Sequence, residues 1–427
     1  MEVKPTQITF KNYLFFWSGQ LFSLFGSTVV YFAITWWITI ETGNPIFLSI
    51  ASFLHIISNV IVLPFAGVLS DRLNKKKLIL IADSSQVIAT VFLILFFSLN
   101  ITSIYVVFIL ICIRSIFQAI HLPTVNSIIP AMVPKEKLTR INGINYLFTG
   151  LVEITAPFVG ATLLLTLSVN QVLWMDLITF AIALIPLMIV RIPSVNDGKE
   201  NEKGKSSFVK DFKIGFKTLR IIPGFLIILI LAMLQNLLIR PITTLMSYYV
   251  NVIHSGSVLD LAIVMGFLQG SMIFGALITS LKKKWNHQTR IYFIGLMIIN
   301  IGYIMFAFVP IGSIIIIGIS AAVFGFFFPI VNSLYQTMIQ VLVPKDKIGR
   351  ITSIDFALSM AIAPIGVLGS GFLTEILGLP NLIFCCAITA IILTLIVWYV
   401  FARKKIDYQN ENFLQNINKS LEEIVKE

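Results

Sequence analysis

The sequence predicts an all-α integral membrane protein, with twelve transmembrane helices in two pseudo-symmetric six-helix bundles. Three observations predict it: long apolar runs, a repeat covering half the chain, and a strict alternation of basic and non-basic breaks. Of the 427 residues 57% are apolar and 12% charged, with a mean hydropathy of +0.93. An ordinary soluble domain carries about 25% charged residues. The apolar residues lie in runs of about 20, the length a helix needs to cross a bilayer.

The repeat is read directly. V-N-S at Val125 recurs at Val331, and V-P-K-E-K at Val133 recurs as V-P-K-D-K at Val343. Ala156-Pro157 is matched by Ala363-Pro364, and the stretch from Phe65 is echoed from Phe274. The second copy holds four extra residues between its V-N-S and V-P-K pieces, about one helical turn. The halves are 1–192 and 221–403, joined by a linker at 193–220 and followed by a tail at 404–427.

Hydropathy places the spans near 14–40, 46–70, 78–99, 103–131, 141–166, 171–191, 221–251, 258–281, 290–309, 312–342, 350–376 and 380–402. The breaks after odd-numbered spans, around Thr42, Asn100, Asn170, Ser255, Pro310 and Leu379, contain no Lys or Arg. The breaks after spans two, four, eight and ten are strongly basic. Of 31 Lys and Arg, only Arg114 and Arg240 fall inside spans away from their edges. The positive-inside rule therefore puts both termini and every even break in the cytoplasm of a multi-pass cell-membrane protein. No cleavable signal peptide is expected from M-E-V-K-P-T-Q.

Net charge of +11 raises nucleic acid as a partner, but the basic residues form short topological clusters rather than a binding face, so none is expected. Cys112, Cys385 and Cys386 lie in apolar segments and read as free thiols. In the linker, Phe208, Phe212 and Phe216 recur among lysines, as in a helix lying on membrane lipids. Leu414, Ile417, Leu421 and Ile424 mark one face of a second amphipathic segment, either a contact surface or a frayed end.

Polar groups within spans are costly unless they face a bundle interior, so their spacing is informative. Gln20, Ser23, Ser27, Tyr31 and Thr35 share one face of span one. Arg114, Gln118 and His121 share a face of span four, and Asn236, Arg240, Thr243 and Ser247 a face of span seven. These faces predict a polar-walled substrate cavity between the halves, with Gln20, Ser27, Tyr31, Gln118, His121, Asn236, Arg240 and Gln269 as candidates. Interhelical hydrogen bonding explains the isolated hydroxyls equally well, but not two arginines.

Glu153 and Arg114 both fall near the bilayer midplane, about 18 and 16 Å from their span ends. Burial favours the neutral carboxyl and a neighbouring arginine the charged one. Two readings follow: a proton-coupling site, or a static ion pair between spans four and five. Asp83, Asp176 and Asp355, close to span ends, are expected to reach interfacial water in structural roles. His55 and His121 are expected to pack with hydrogen bonds. No metal site, cofactor loop or nucleophile elbow is present in the pattern, and the soluble segments are too short for an ATPase.

The stretch G-V-L-S-D-R-L-N-K-K-K, with Gly67, Asp71, Arg72, Lys75, Lys76 and Lys77, resembles the loop 2–3 signature of the major facilitator superfamily. Asn74 stands where that family usually has glycine, and the counterpart at Gly275 has Thr279-Ser280 instead of Asp-Arg. The resemblance implies a conformational gate on the cytoplasmic side, present in the first half only. Arg114 with Gln118 is similar to a span-four signature of drug exporters. Ala156, Pro157 and Gly160 are similar to the helix-packing motif of the proton antiporters. W-S-G-Q-L-F-S-L-F-G resembles the branch containing macrolide-efflux and enterobactin-export proteins. The resemblance implies a monomeric secondary transporter that exchanges protons for an amphipathic small molecule. An importer or facilitator of a polar metabolite shares the same fold, and a non-transporting receptor is the rival from another class.

Overall fold

The computed structural model describes residues 7–192, 222–282, 285–343, 348–404, 406 and 408. The amphipathic segments read at 208–216 and 414–424 lie outside the described residues. The first six spans are α1 (Gln7–Thr42), α2 (Pro45–Arg72), α3 (Lys75–Ser98), α4 (Ile104–Met132), α5 (Leu138–Leu164) and α6 (Val169–Ile189). Then come α7 (Phe225–Leu238), α8 (Val258–Leu281), α9 (Gln288–Phe308), α10 (Ile314–Leu342), α11 (Ile348–Leu377) and α12 (Leu379–Arg403). Among the described residues eleven helices are long and apolar enough to cross a membrane, and α7 is the shorter, apolar twelfth.

The polar breaks supply the caps these helices need. Asn44 accepts the Ile46 amide at 2.8 Å at the start of α2, where Pro45 fills a position that has no amide bond to lose. Asn74 likewise accepts the Lys77 amide at 3.1 Å and starts α3, so the residue that departs from the glycine pattern serves as a cap. Ser168 and Gln171 form a capping box before α6.

The chain divides into two units. The first holds the described residues of Met1–Gly198 and Leu245–Gly266; the second, those of Lys199–Thr244 and Phe267–Glu427. In the first, α1 packs on α5 and α6, and α4 lies between α2 and α3. Tyr13, Phe16, Ile79, Met132 and Leu187 form one fully buried cluster. Val29, Ala33, Val152, Ala156 and Val172 form another. Gly26 lets α1 approach α6 so closely that a Cβ there would overlap Thr179. This is the small-residue packing expected where lipid supplies no hydrophobic drive between helices. In the second unit α9 contacts α10 and α12, while α7 packs on α11 and α12.

Span seven departs from its sequence reading. The stretch read as one helix over 221–251 consists of α7, a short helix Arg240–Thr244, a turn Met246–Tyr248 and a π-helical turn Tyr249–Ile253. Pro241 lacks an amide proton and its ring crowds the preceding turn, which ends α7 just upstream. The Tyr303 hydroxyl donates to the exposed Leu238 carbonyl at 2.9 Å. The segment beyond Leu245 belongs with the first unit, where Ser247 meets the Thr39 hydroxyl of α1 at 2.7 Å.

Candidate functional site

The polar face of α4 reaches the interior of the first unit through Arg114. Its guanidinium pairs with Asp176 of α6 and donates to the Thr90 hydroxyl and, at 3.3 Å, to the Gln86 carbonyl of α3. The Asp176 carboxylate also accepts from Thr90 at 2.5 Å and from Ser27 of α1 at 3.2 Å. Four helices thus converge on one buried ion pair, and both carboxylate oxygens are engaged. Such pairing is what makes a charge tolerable away from water.

This corrects the expected pairing of Arg114 with Glu153. It also corrects the interfacial role expected of Asp176, whose exposure is only 4%. Asp176 lies near the start of α6, but the guanidinium stem spans the distance from mid-α4, so depth along one helix misled. Asp83 and Asp355, also expected to reach interfacial water, are buried as well.

A cavity of about 300 Å³ opens beside the ion pair. Ser27 and Tyr31 of α1, His55, Gln86, Arg114, Ser115, Gln118 and Glu153 line it. Glu153 makes no hydrogen bond or ion pair with any described residue. His55 Nδ1 shares a hydrogen bond with Ser115 at 2.8 Å, and its ring lies 5.2 Å from that of Tyr31. A second cavity of about 120 Å³ shares Leu24, Ser27 and Gln118 with the first. It is lined by Gln20, Asp83, His121, Asn126 and Asn145. There His121 Nε2 bonds Gln20 at 2.8 Å and lies 3.3 Å from the Asp83 carboxylate.

The second unit holds a cavity of about 260 Å³ lined by Gln235, Asn236, Tyr292, Asn332, Tyr335, Gln336, Asp355 and Ser359. Tyr335 donates to Asp355 at 2.6 Å. The Tyr335 ring lies near-parallel to those of Tyr292 and Phe225, with centroids 6.4 Å apart in each pair.

Among the predicted cavity residues, Gln20, Ser27, Tyr31, Gln118 and His121 are thus gathered in the first unit, and Asn236 lines the second unit's cavity. Arg240 and Gln269 line none of these three. Arg240 follows the break in span seven; its stem packs against Gly366 and its Nε has no partner among the described residues. Sequence spacing gives no sign that Asp355 and Tyr335, on separate helices, meet.

Of the loop 2–3 residues, Asp71 and Arg72 have side chains outside the described set. Gly67 has open space where a Cβ would stand. Lys75 donates to the Ser127 carbonyl at 2.9 Å, and Lys76 to Met188 and Val190 carbonyls at 2.6 and 3.1 Å. Lys76 therefore serves the carbonyl-rich end of α6, where a helix dipole favours cations, and Lys75 a carbonyl freed at the Ser127 turn within α4. Ala156 is fully buried, Pro157 lies inside α5, and Gly160 lies against Phe32 of α1. Among the described residues no group of three His, Cys, Asp or Glu could hold a metal ion.

The comparisons agree with this architecture. Macrolide efflux protein A of Streptococcus pyogenes is 27% identical over 387 residues, 87% of this chain and 93% of that protein. The Staphyloferrin A transporter of Staphylococcus aureus is 19% identical over 402 residues, 93% and 98% of the two chains. Among solved structures, the nucleoside transporter NupG superposes with a TM-score of 0.72 at 16% identity, covering 93% of this chain and 99% of that one. A bacterial homologue of the iron transporter ferroportin gives 0.69 at 13%, covering 92% and 99%. The Major Facilitator Superfamily model matches residues 16–367. With its helices, its duplicated sequence and its buried polar cavities, this chain is a multi-pass membrane transporter and belongs to the Major Facilitator Superfamily.

Proposed function

We propose that the protein exports an amphipathic small molecule from the cytoplasm in exchange for protons, by alternating access of the halves 1–192 and 221–403. Its similarity to macrolide efflux proteins over 87% of its length supports the substrate class and the direction. One observation carries the proton coupling. Glu153 faces the 300 Å³ cavity without a partner among the described residues, while Arg114 in the same wall is already neutralised by Asp176. A carboxyl group so placed answers to its surroundings rather than to a fixed ion pair. When the cavity is wet it is served by water; when it dries, or the substrate enters, the charged form becomes costly. Protons can then be taken up on one side and released on the other.

The protein works as a monomer in the cell membrane, with both termini cytoplasmic. Asp71 and Arg72 act in closing the inner side, and the surrounding lipids touch its apolar faces. The test uses purified protein in liposomes with an imposed proton gradient and a panel of macrolides and other amphipathic compounds. Substrate should accumulate only when the gradient is present. Movement of a polar metabolite that persists without any gradient would favour a facilitator instead. For orientation, single cysteines are placed at Asn100, Asn170 and Lys282 after the three native cysteines are replaced. An impermeant thiol reagent outside cells should label the first two and spare the third; the reverse would overturn the direction.

A further inference from the structure

Among the described residues, the buried carboxylate of the second unit has no counter-charge. Asp355 is 8% exposed, and its one hydrogen-bond partner among the described residues is the Tyr335 hydroxyl at 2.6 Å. No Lys, Arg or His is among the described residues lining its cavity. The first unit is different: Asp176 pairs with Arg114, and Asp83 lies 3.3 Å from the His121 imidazole. A carboxylate left in an apolar setting without a cation is expensive, so such a group either carries a proton or waits for a positive ligand.

The rest of the wall favours the ligand. Tyr292 and Tyr335 put two aromatic rings beside the carboxylate, and a positive group near a ring face is attracted by the ring's quadrupole. Asn236, Asn332 and Gln336 add side-chain amides, which can serve a hydroxyl or carbonyl next to the charge. About 260 Å³ holds the charged head of a molecule with a ring attached, not a large amphiphile in full. The position is also suited to loading. Tyr292 lies four residues after the start of α9, Tyr335 seven before the end of α10, and Asp355 seven after the start of α11. All three ends adjoin even-numbered breaks, the basic side of the chain.

We infer that this cavity is a binding site for an organic ammonium group, with Asp355 as its counter-charge and Tyr292 and Tyr335 as its aromatic wall. The inference deepens the export reading by naming the substrate class, amphipathic amines loaded from the basic side. It rests on that reading for its physiological direction, but not for the binding itself.

The test is therefore a binding measurement on the purified full-length protein in detergent, with no gradient. The probes are benzyltrimethylammonium, whose charge is fixed at every pH, and its uncharged carbon isostere neopentylbenzene. Calorimetric titration should show the ammonium binding at least tenfold more tightly than the isostere. Asp355→Asn should erase that preference, while Asp355→Glu should keep most of it. Tyr292→Leu should weaken the ammonium several-fold and leave the isostere within twofold. Should Asp355→Asn fail to fold, the glutamate and leucine variants decide the matter. Equal binding of both probes, or an unchanged preference in Asp355→Asn, would overturn the inference and point to a merely protonated carboxyl. Loss of gradient-driven export with the ammonium preference intact would count against the export reading alone.

Discussion

The two units are built mainly from the two copies of a repeated sequence, yet their buried charges are handled in opposite ways. The first unit closes its strongest charge internally: Arg114, Asp176, Thr90 and Ser27 satisfy one another across four helices. The second keeps Asp355 beside tyrosines and a cavity, with a hydroxyl as its partner. What the duplication shares is the scaffold, read in the repeated V-N-S and V-P-K loops. What it does not share is the polar chemistry in the helix interiors. A membrane bundle can hold its shape by close packing of small residues, which leaves interior polar positions free to diverge.

That contrast can be broken most forcefully at Asp176. Asp176→Asn leaves Arg114 buried without a carboxylate and should cost about 3–5 kcal/mol, seen as a thermal unfolding midpoint lower by about 10 °C or as failure to express. Arg114→Met combined with Asp176→Leu removes both charges and should recover most of that loss. Asp355→Asn, the matching change in the second unit, should move the midpoint by only a few degrees. If the two asparagine variants were equally unstable, the distinction between a closed pair and an open site would be lost.

A packing change comes next in size. Gly26→Val forces a branched side chain into the contact of α1 with Thr179 and should cost about 1–3 kcal/mol in the same thermal assay. Ser27→Ala removes one long hydrogen bond to Asp176, so about 0.5–1.5 kcal/mol is expected. A larger loss than that of Gly26→Val would mean that Ser27 orients the carboxylate for the whole network.

Much of the fold was legible because membrane proteins write it in coarse symbols. Span length, repeated loops and the side on which lysines collect need no knowledge of three-dimensional neighbours. The Gln20–Ser27–Tyr31 and Arg114–Gln118–His121 faces were equally readable, since helical spacing alone brings each set to one side. Partners across helices were not. Distance from a span end places Asp176 at the interface, whereas the Arg114 side chain of another helix meets it in the buried core. Pro241 breaks span seven despite its continuous hydropathy, and with the break goes the shared face of Asn236, Arg240, Thr243 and Ser247.

In the proposed division of labour within the first unit, Asp176 holds Arg114 and Glu153 carries the proton. Glu153→Gln tests it when thermal stability and gradient-driven export are measured on one liposome preparation. The variant keeps the shape of the protonated side chain and leaves the Arg114–Asp176 pair untouched. The unfolding midpoint should therefore stay within about 2 °C of the parent, a change below about 1 kcal/mol, while accumulation of substrate against its gradient is abolished. A stable variant that still concentrates substrate, or one that unfolds as readily as Asp176→Asn, would contradict the account.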